Sequence, residues 1–413
     1  MVGSIFKTAC AMILGTFLAG CALNTRFPDS PSAVPPTTES EIAHRIILLG
    51  DAGSADSGDL VLAALRSLLT EFPTVDKTVV ILGDNIYPSG LPESQTPDYA
   101  LLKSHLDRQI NASVSSGATV RVVPGNHDWN SGAEIGVQRQ ANYLGMGPWN
   151  TPAKPTRVVM MPEGRCAGPV FEDLSYASDP SRVSARLILL DSEWIIRGSG
   201  APCLNDDASA GEDRTRTVRE ALRNMVTGTP ADFVILASHH PLRTHGPHGG
   251  FFSWKQHLFP LTIIPEWHDS LWSLLLPLPV VPTLLYILPR RLGISKQDLA
   301  NKHYRDYVDE VTAGISAPGS TRVLITAGHE HSIQLIEDGN LLQIVSGVGS
   351  YDHHTIVGKG DDTRMATPNS GFVILDVRKA PHDDIVLEVV EVTEDPAAVG
   401  TPRWQREYRT ILR

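Results

Sequence analysis

The chain has 413 residues, 42% hydrophobic and 20% charged, which excludes wholesale disorder and leaves room for one large domain with insertions or two ordinary ones. A formal net charge of −11 gives no basic footprint, so nucleic acid is not expected as a partner. A clustered metal could still attract anions locally whatever the overall charge.

The chain begins with one cation, Lys7, and an uncharged apolar stretch from Thr8 to Leu18, the length of a signal-peptide core rather than of a membrane span. The stretch ends in Leu18-Ala19-Gly20-Cys21, which resembles the lipobox of bacterial lipoproteins, where Cys21 would carry the lipid and open the mature chain. Residues 1–20 are thus expected to be removed. With Ala22 after the cysteine, the expected location is the cell envelope, on an outer membrane facing the periplasm. Residues 21–42 carry Pro28, Pro31, Pro35 and Pro36 among Ser, Thr and Asp and are expected to form a tether. An oxidising compartment would allow Cys166 and Cys203 to pair as a disulfide.

From there the chain alternates apolar runs with amphipathic segments. Arg45 to Leu49 predicts a strand that ends in Gly50-Asp51-Ala52-Gly53. A helix is expected over Asp59 to Phe72, with Leu60, Ala64, Leu68 and Leu69 on one face. Thr78 to Leu82 predicts a second strand, ending in Gly83-Asp84-Asn85-Ile86-Tyr87, and Pro97 to Val114 a second helix. Thr119 to Val123 predicts a third strand before Gly125-Asn126-His127-Asp128. Further strands are predicted over Arg186 to Leu190, Asp232 to Ala237, Thr321 to Thr326 and Leu342 to Ser346, and a helix over Arg214 to Val226. Ser238-His239-His240-Pro241 and Gly328-His329-Glu330-His331 close two of these strands. Ser295-Lys296-Gln297-Asp298 has the pattern of a capping box and predicts a helix through Leu299, Tyr307 and Val311. Gly371 to Val377 and Ile385 to Val392 predict two late antiparallel strands, with residues 396–413 as a C-terminal tail.

The strand runs are continuous rather than alternating, the pattern of strands covered on both faces, so an α/β fold is expected: layered β-sheet flanked by helices. Ligands in such folds gather outside the carboxyl ends of strands. Five segments each place Asp, Asn, Tyr or His there, which implies a shared two-metal site suited to hydrolysis. The main domain is expected over residues 43–395, with an unusual apolar insertion at about 251–292. Within it, Leu271 to Leu288 lacks charge and contains Pro277, Pro279 and Pro282. It is long enough to cross a bilayer, but a single crossing would separate His239 from His329. A buried cap, or an interfacial patch that joins Cys21 in touching a membrane, is expected instead.

The motifs, in this order, resemble the calcineurin-like metallophosphoesterase family, and within it the purple acid phosphatase branch. Most of the family has Asp-x-His in the first motif. Here Gly53 stands at the His position, and Tyr87 matches the tyrosine that replaces it in purple acid phosphatases. The resemblance implies central β-sheets flanked by helices, with one metal on Asp51, Asp84, Tyr87 and His331. A second would lie on Asp84, Asn126, His239 and His329, bridged by Asp84, with His240 outside the ligand set. It further implies Fe(III) at the first site with Zn, Fe or Mn at the second, and a metal-bound hydroxide that attacks a phosphoester substrate. His127 is expected at the phosphoryl or leaving group, with Asp128 as its orienting partner, and His248 beside the site, His245 being the second choice. Phosphomonoester hydrolysis is the leading expectation. A phosphodiesterase or nucleotide pyrophosphatase on the same metals is the alternative, and a non-catalytic metal-containing envelope lipoprotein is a reading of another class.

Overall fold

Eight consecutive residues, Ile42–Leu49, form the first long strand and all are buried, so neither face of it meets water. Their side chains alternate between two cores. Ile46 and Leu48 join one apolar cluster, whereas Ile47 and Leu49 join another. The same division holds for Val80 and Leu82 against Val79 and Ile81. A period-two strand whose two faces are both covered explains why the sequence shows no polar alternation.

In the computed structural model, the described residues are 22–23, 26–28, 34–154, 157–163, 166–176, 179–198, 218–227, 231–263, 274, 278, 281–316, 323–339, 341–351 and 353–412. Two seven-stranded sheets dominate them. The first contains parallel strands Ile42–Leu49, Lys77–Ile81, Thr119–Val122 and Val158–Met160. Gly371–Arg378 extends it antiparallel to Ile42–Leu49, followed by Ile385–Asp395 and Ala398–Leu412. The second contains parallel strands Asp179–Leu189, Phe233–Ala237, Val323–Ala327 and Leu341–Ser346, with antiparallel strands on both flanks.

The sheets stack face to face. Ile46, Leu48 and Val80 of the first share a core with Leu187, Ile235 and Ile344 of the second. Helices Leu60–Leu69 and Tyr99–Ser113 cover the outer face of the first sheet through Leu65, Leu68, Leu106 and Ile110. Helices Val218–Val226 and Lys302–Ile315 cover the second through Leu222, Tyr304, Tyr307 and Val311. The layered α/β expectation therefore holds, with the strand runs divided between two sheets.

Several expected boundaries differ. Residues 396–413, read as a tail, contain the strand Ala398–Leu412 on the edge of the first sheet. Its polar content hides the strand from an apolar count: Arg406 and Arg409 reach inward to Glu388 of the neighbouring strand, at 3.1 and 2.5 Å. The tether segment touches the domain where Ala22–Leu23 pairs with Val357–Gly358 and Phe27 bridges to Ala366. Helix Lys302–Ile315 starts at Asn301, whose side chain accepts from the His303 amide at 2.9 Å, and not at Ser295. Asp298 instead pairs with Arg290 and His248. Residues 1–21, including the expected signal peptide and Cys21, lie outside the described residues, as do Cys203 and Trp267 and Trp272 of the insertion. Cys166, expected to pair with Cys203, is disulfide-bonded. Among the described residues no helix is long and apolar enough to cross a membrane.

Candidate metal centre

Strand ends bring the motif residues together. Asp51 follows Ile42–Leu49 by two residues, and Asp84 follows Lys77–Ile81 by three. Asn126 comes shortly after Thr119–Val122, His239 two residues after Phe233–Ala237, and His329 two after Val323–Ala327. Asp51, Asp84 and His329 have φ of 57°, 51° and 68°, a left-handed conformation that costs about a kilocalorie or more for a side chain with a Cβ. Such strain at three turn tips aims their side chains at one point. Close backbone approach serves the same end: a Cβ at Gly125 would stand 2.2 Å from Asp84 Oδ1.

At the first cluster, Tyr87 Oη lies 3.0 Å from Asp51 Oδ1, 3.1 Å from Asp84 Oδ2 and 3.1 Å from His331 Nε2. One phenolic proton cannot serve three acceptors. Burial, then the two carboxylates, push the Tyr87 phenol well above its usual range. A cation would meet all four atoms. Gly53 explains why tyrosine occupies this place. A Cβ at 53 would sit 2.5 Å from Asp84 O and 2.6 Å from Ile86 N, so the backbone leading to Tyr87 fills the room a histidine would need. The Tyr87 amide in turn donates to Gly53 O at 3.1 Å.

The second cluster repeats the pattern with neutral groups. His239 Nδ1 faces the Leu82 carbonyl at 2.8 Å and therefore carries the hydrogen, which leaves the Nε2 lone pair 3.0 Å from Asn126 Oδ1 and 3.4 Å from Asp84 Oδ1. His329 Nε2 faces the Gln297 carbonyl at 2.9 Å, which leaves Nδ1 3.1 Å from the same Asn126 oxygen. Burial, reinforced by the neighbouring imidazoles, keeps His329 well below its ordinary pKa, hence neutral. Burial also opposes charge on His239, but Asp84 and Asp51 raise it to about 10. A proton there holds the place that a metal ion would take. The Asp84 carboxyl is disfavoured as an anion by burial, yet His239 and His127 hold it well below the usual carboxylate range. Its two oxygens face the two clusters, as a bridging ligand requires. Both donor sets fit metal ions: three anionic-capable oxygens with one imidazole, and a neutral amide with two imidazoles.

Two further groupings of metal-binding side chains, Asp51 with Asp84 and His239, and His239 with His240 and His329, overlap these clusters. Both nitrogens of His240 are already engaged, Nδ1 by Ser192 Oγ at 2.8 Å and Nε2 by Gln297 Oε1 at 2.8 Å. His240 thus braces the neighbouring ligands rather than facing the cluster.

Around the rim, His127 hydrogen-bonds the Pro88 carbonyl through Nδ1 at 2.6 Å, its ring lies 4.5 Å from Tyr87, and Nε2 turns toward Asp84 Oδ2 at 3.9 Å. Asp128 does not hold this ring. It accepts from the Gly125 amide at 2.8 Å and from Asn85 Nδ2 at 2.7 Å, fixing the two turns that carry Asp84 and Asn126. Burial and the nearby Asp84 push the Asp128 carboxyl up to about 6. The His248 ring packs 4.1 Å from His329, whereas His245 turns away to Asp362 at 2.6 Å.

The motifs assign no role at the site to three contributors. Gln297, from the segment after the insertion, places its carbonyl on both His329 and His248 and its side chain on His240. Glu330 is fully buried between two candidate ligands and accepts from the His248 amide at 3.0 Å, Thr244 Oγ1 at 3.2 Å and Thr355 Oγ1 at 3.3 Å. His353 lies with its ring 4.3 Å from His331 and 4.8 Å from Tyr87. Asp191, by contrast, is a strand-end cap: it accepts from the Trp194 amide and the Trp129 indole, each at 3.1 Å.

A layered fold with acidic, amide and imidazole donors gathered at its strand ends suits a metal-dependent hydrolase, and comparison with known proteins supplies the class. Residues 44–264 match the calcineurin-like phosphoesterase family, and the chain belongs to it. That family implies phosphoester hydrolysis with two bound metal ions. No curated protein sequence matches the chain. Among solved structures, GAP50, the anchor in the inner membrane complex of Plasmodium, is 15% identical with a TM-score of 0.48 over 90% of this chain and 89% of its own. PhoD is 12% identical with a TM-score of 0.47, over 93% and 71%. A putative 5′-nucleotidase from Staphylococcus aureus is 12% identical with a TM-score of 0.33, over 89% and 53%.

Proposed function

We propose that the protein is a phosphomonoesterase of the purple acid phosphatase kind. Asp51, Asp84, Tyr87 and His331 would hold Fe(III), and Asp84, Asn126, His239 and His329 would hold Zn, Fe or Mn. The observation that carries this reading is the Tyr87 hydroxyl within 3.1 Å of Asp51, Asp84 and His331, in a turn whose backbone leaves no room for a side chain at Gly53. When bound, the two ions activate water and neutralise charge on the phosphoryl group. His127, with Nδ1 fixed on Pro88, offers Nε2 to a phosphoryl or leaving-group oxygen. Asp128 keeps the Asp84 and Asn126 turns in register through Asn85 and Gly125. His248, held by Gln297 and Glu330, closes the other side.

The test is metal analysis with a visible spectrum of the wild type and Tyr87→Phe, together with turnover of aryl monophosphates and bis-aryl phosphates. Coloured protein that bleaches on the substitution and prefers the monoester supports the proposal. A colourless iron-free enzyme would sink the ferric assignment, and a preference for the diester would favour the phosphodiesterase alternative.

We further propose that Cys21 anchors the mature chain to the envelope membrane, on the periplasmic side, and that the insertion rests on the same surface. Leu284, Leu285, Leu292 and Ile294 are exposed by 53%, 76%, 67% and 72%, with Arg291 beside Leu292 in the chain, an apolar and basic mixture suited to an anionic bilayer. Sedimentation of the non-acylated protein with anionic vesicles, lost on replacing Leu284 and Leu285 by Ser, checks this. Unchanged sedimentation would reject it.

A further inference from the structure

A cavity of about 350 Å³ lies beside the candidate metal centre, lined by His248, Gly249, Gly250, Phe251, Arg290 and Arg291. Its volume is in the range of small-ligand sites. His248 belongs to both places: one wall of the cavity is the same imidazole that packs 4.1 Å from His329. The remaining walls come from the turn after His248 and from the basic end of the insertion, Leu288–Arg291, which the phosphoesterase motifs do not account for.

We infer that this cavity is a second anion subsite, which receives a negatively charged group on the leaving side of the substrate. The inference rests on the phosphomonoesterase reading and narrows it to esters whose leaving group carries a further phosphate or carboxylate.

The charge and rigidity of the walls support this. Arg290 is fixed by Asp298 Oδ1, at 2.9 Å from Nε and 2.6 Å from Nη2, and by Tyr286 Oη at 2.8 Å. Asp298 balances that charge from behind the wall, and no carboxylate lines the cavity among the described residues. Arg291 adds the second cation. Its Nε donates to Gly250 O at 3.0 Å, and its stem crosses Gly250 so closely that a Cβ there would lie 3.3 Å from Cγ. A guanidinium held in one orientation suits the planar, two-oxygen edge of a carboxylate or phosphate. Phe251, which packs against His245 at 4.9 Å, supplies an apolar side to the same space and suits a short carbon linker between the two anions.

The site predicts a specific discrimination. A monoester with one anionic group reaches only the metal centre, whereas a bisphosphate of the same alkyl group also reaches the arginines. A hydrogen-bonded charge pair in a sheltered site is commonly worth a factor of about ten or more in binding.

The experiment compares propyl phosphate with propane-1,3-diyl bisphosphate as substrates of the metal-loaded full chain, alongside calorimetric binding of propane-1,3-bisphosphonate. The wild type is expected to favour the bisphosphate by about ten-fold in kcat/KM, mainly through KM. Arg291→Gln is expected to bring that ratio near one and to weaken bisphosphonate binding by a similar factor. His127→Ala should slow both substrates and leave their ratio intact. Displaying the same pair of headgroups on phosphatidylcholine vesicles separates the two sources of such an anion: a preference found only on vesicles assigns a lipid headgroup, and one found in solution assigns a soluble ester. Equal kcat/KM for both substrates in solution and on vesicles, or a ratio unchanged by Arg291→Gln, overturns the inference. Failure to hydrolyse either monoester or bisphosphate would instead overturn the phosphomonoesterase reading on which it rests.

Discussion

Replacing Glu330 by Ala should disable the site from a position that touches neither substrate nor metal. The carboxylate is fully buried and accepts from the His248 amide, Thr244 Oγ1 and Thr355 Oγ1. Thr355 also has the His331 carbonyl at 3.3 Å and can turn to it. Thr244 cannot re-pair so easily, because its oxygen already accepts from the Gly246 amide at 3.0 Å and Gln334 Nε2 at 2.9 Å, which leaves its proton for Glu330. Alanine therefore strands two buried donors, the His248 amide and the Thr244 hydroxyl. At about 1–3 kcal/mol for each unsatisfied group, the expected loss of unfolding free energy is about 3 kcal/mol. Urea unfolding measures it directly. The functional consequence runs through His248, so kcat/KM for an aryl phosphate should fall in Glu330→Ala, and adding His248→Ala should cost little more. Glu330→Gln keeps an acceptor oxygen and should recover more than half of the stability. Metal content, measured in parallel, separates loss of His248 from loss of ligands. Strictly additive effects of the Ala substitutions on kcat/KM, or an unchanged urea midpoint, would refute the assignment of Glu330 as the post that holds the His248 loop.

Three further outcomes are expected. Asp84→Ala removes the one side chain that faces both clusters, so the metal content should drop below two ions per chain and phosphoester turnover should vanish; retention of both ions would disprove the bridge. Gly53→His restores the residue most of the family carries, but its Cβ would meet the Asp84 carbonyl at 2.5 Å. It should therefore lower thermal stability and metal affinity, and a variant that binds metal as tightly as wild type would contradict the packing argument. Asp191 is 2% exposed, and burial, with Glu193 and Asp128 adding repulsion, raises its carboxyl from 3.8 to about 8. Its folded-state pKa lies above the unfolded value, so the contribution to stability is complete below about pH 4 and is lost as the pH rises through about 8. A tenfold difference in proton affinity between the folded and unfolded chain is worth about 1.4 kcal/mol, so the loss is at most several kcal/mol. The urea midpoint of wild type should fall relative to Asp191→Asn across that interval, and parallel pH profiles would reject the coupling.

How much of this was legible in the sequence depends on the reach of each interaction. The candidate ligands could be read because each lies within a few residues of an apolar run, and a strand end is a local event. The lack of a side chain at Gly53 could be read beside Tyr87, and the backbone packed against Gly53 shows why no side chain fits there. The division into two stacked sheets could not be read, since Ile46 to Leu49 and Leu187 to Leu190 look alike when every face is buried. The roles of Gln297, Glu330 and His353 could not be read because they depend on partners as distant in sequence as His329 from Gln297 and Tyr87 from His353. The Ser295 capping pattern misled because Asp298 serves Arg290 and His248 instead of a helix end.

Neither sheet owns a complete set of the candidate ligands. Asp51, Asp84, Tyr87 and Asn126 follow strands of one sheet, whereas His239, His329 and His331 follow strands of the other. Each ion would therefore act as a rivet through the seam between the two halves of the sandwich. Pulling the sheets apart breaks both coordination sets at once, so opening of the fold and release of the ions become a single event, and the protein's resistance to unfolding should rise with the concentration of free metal.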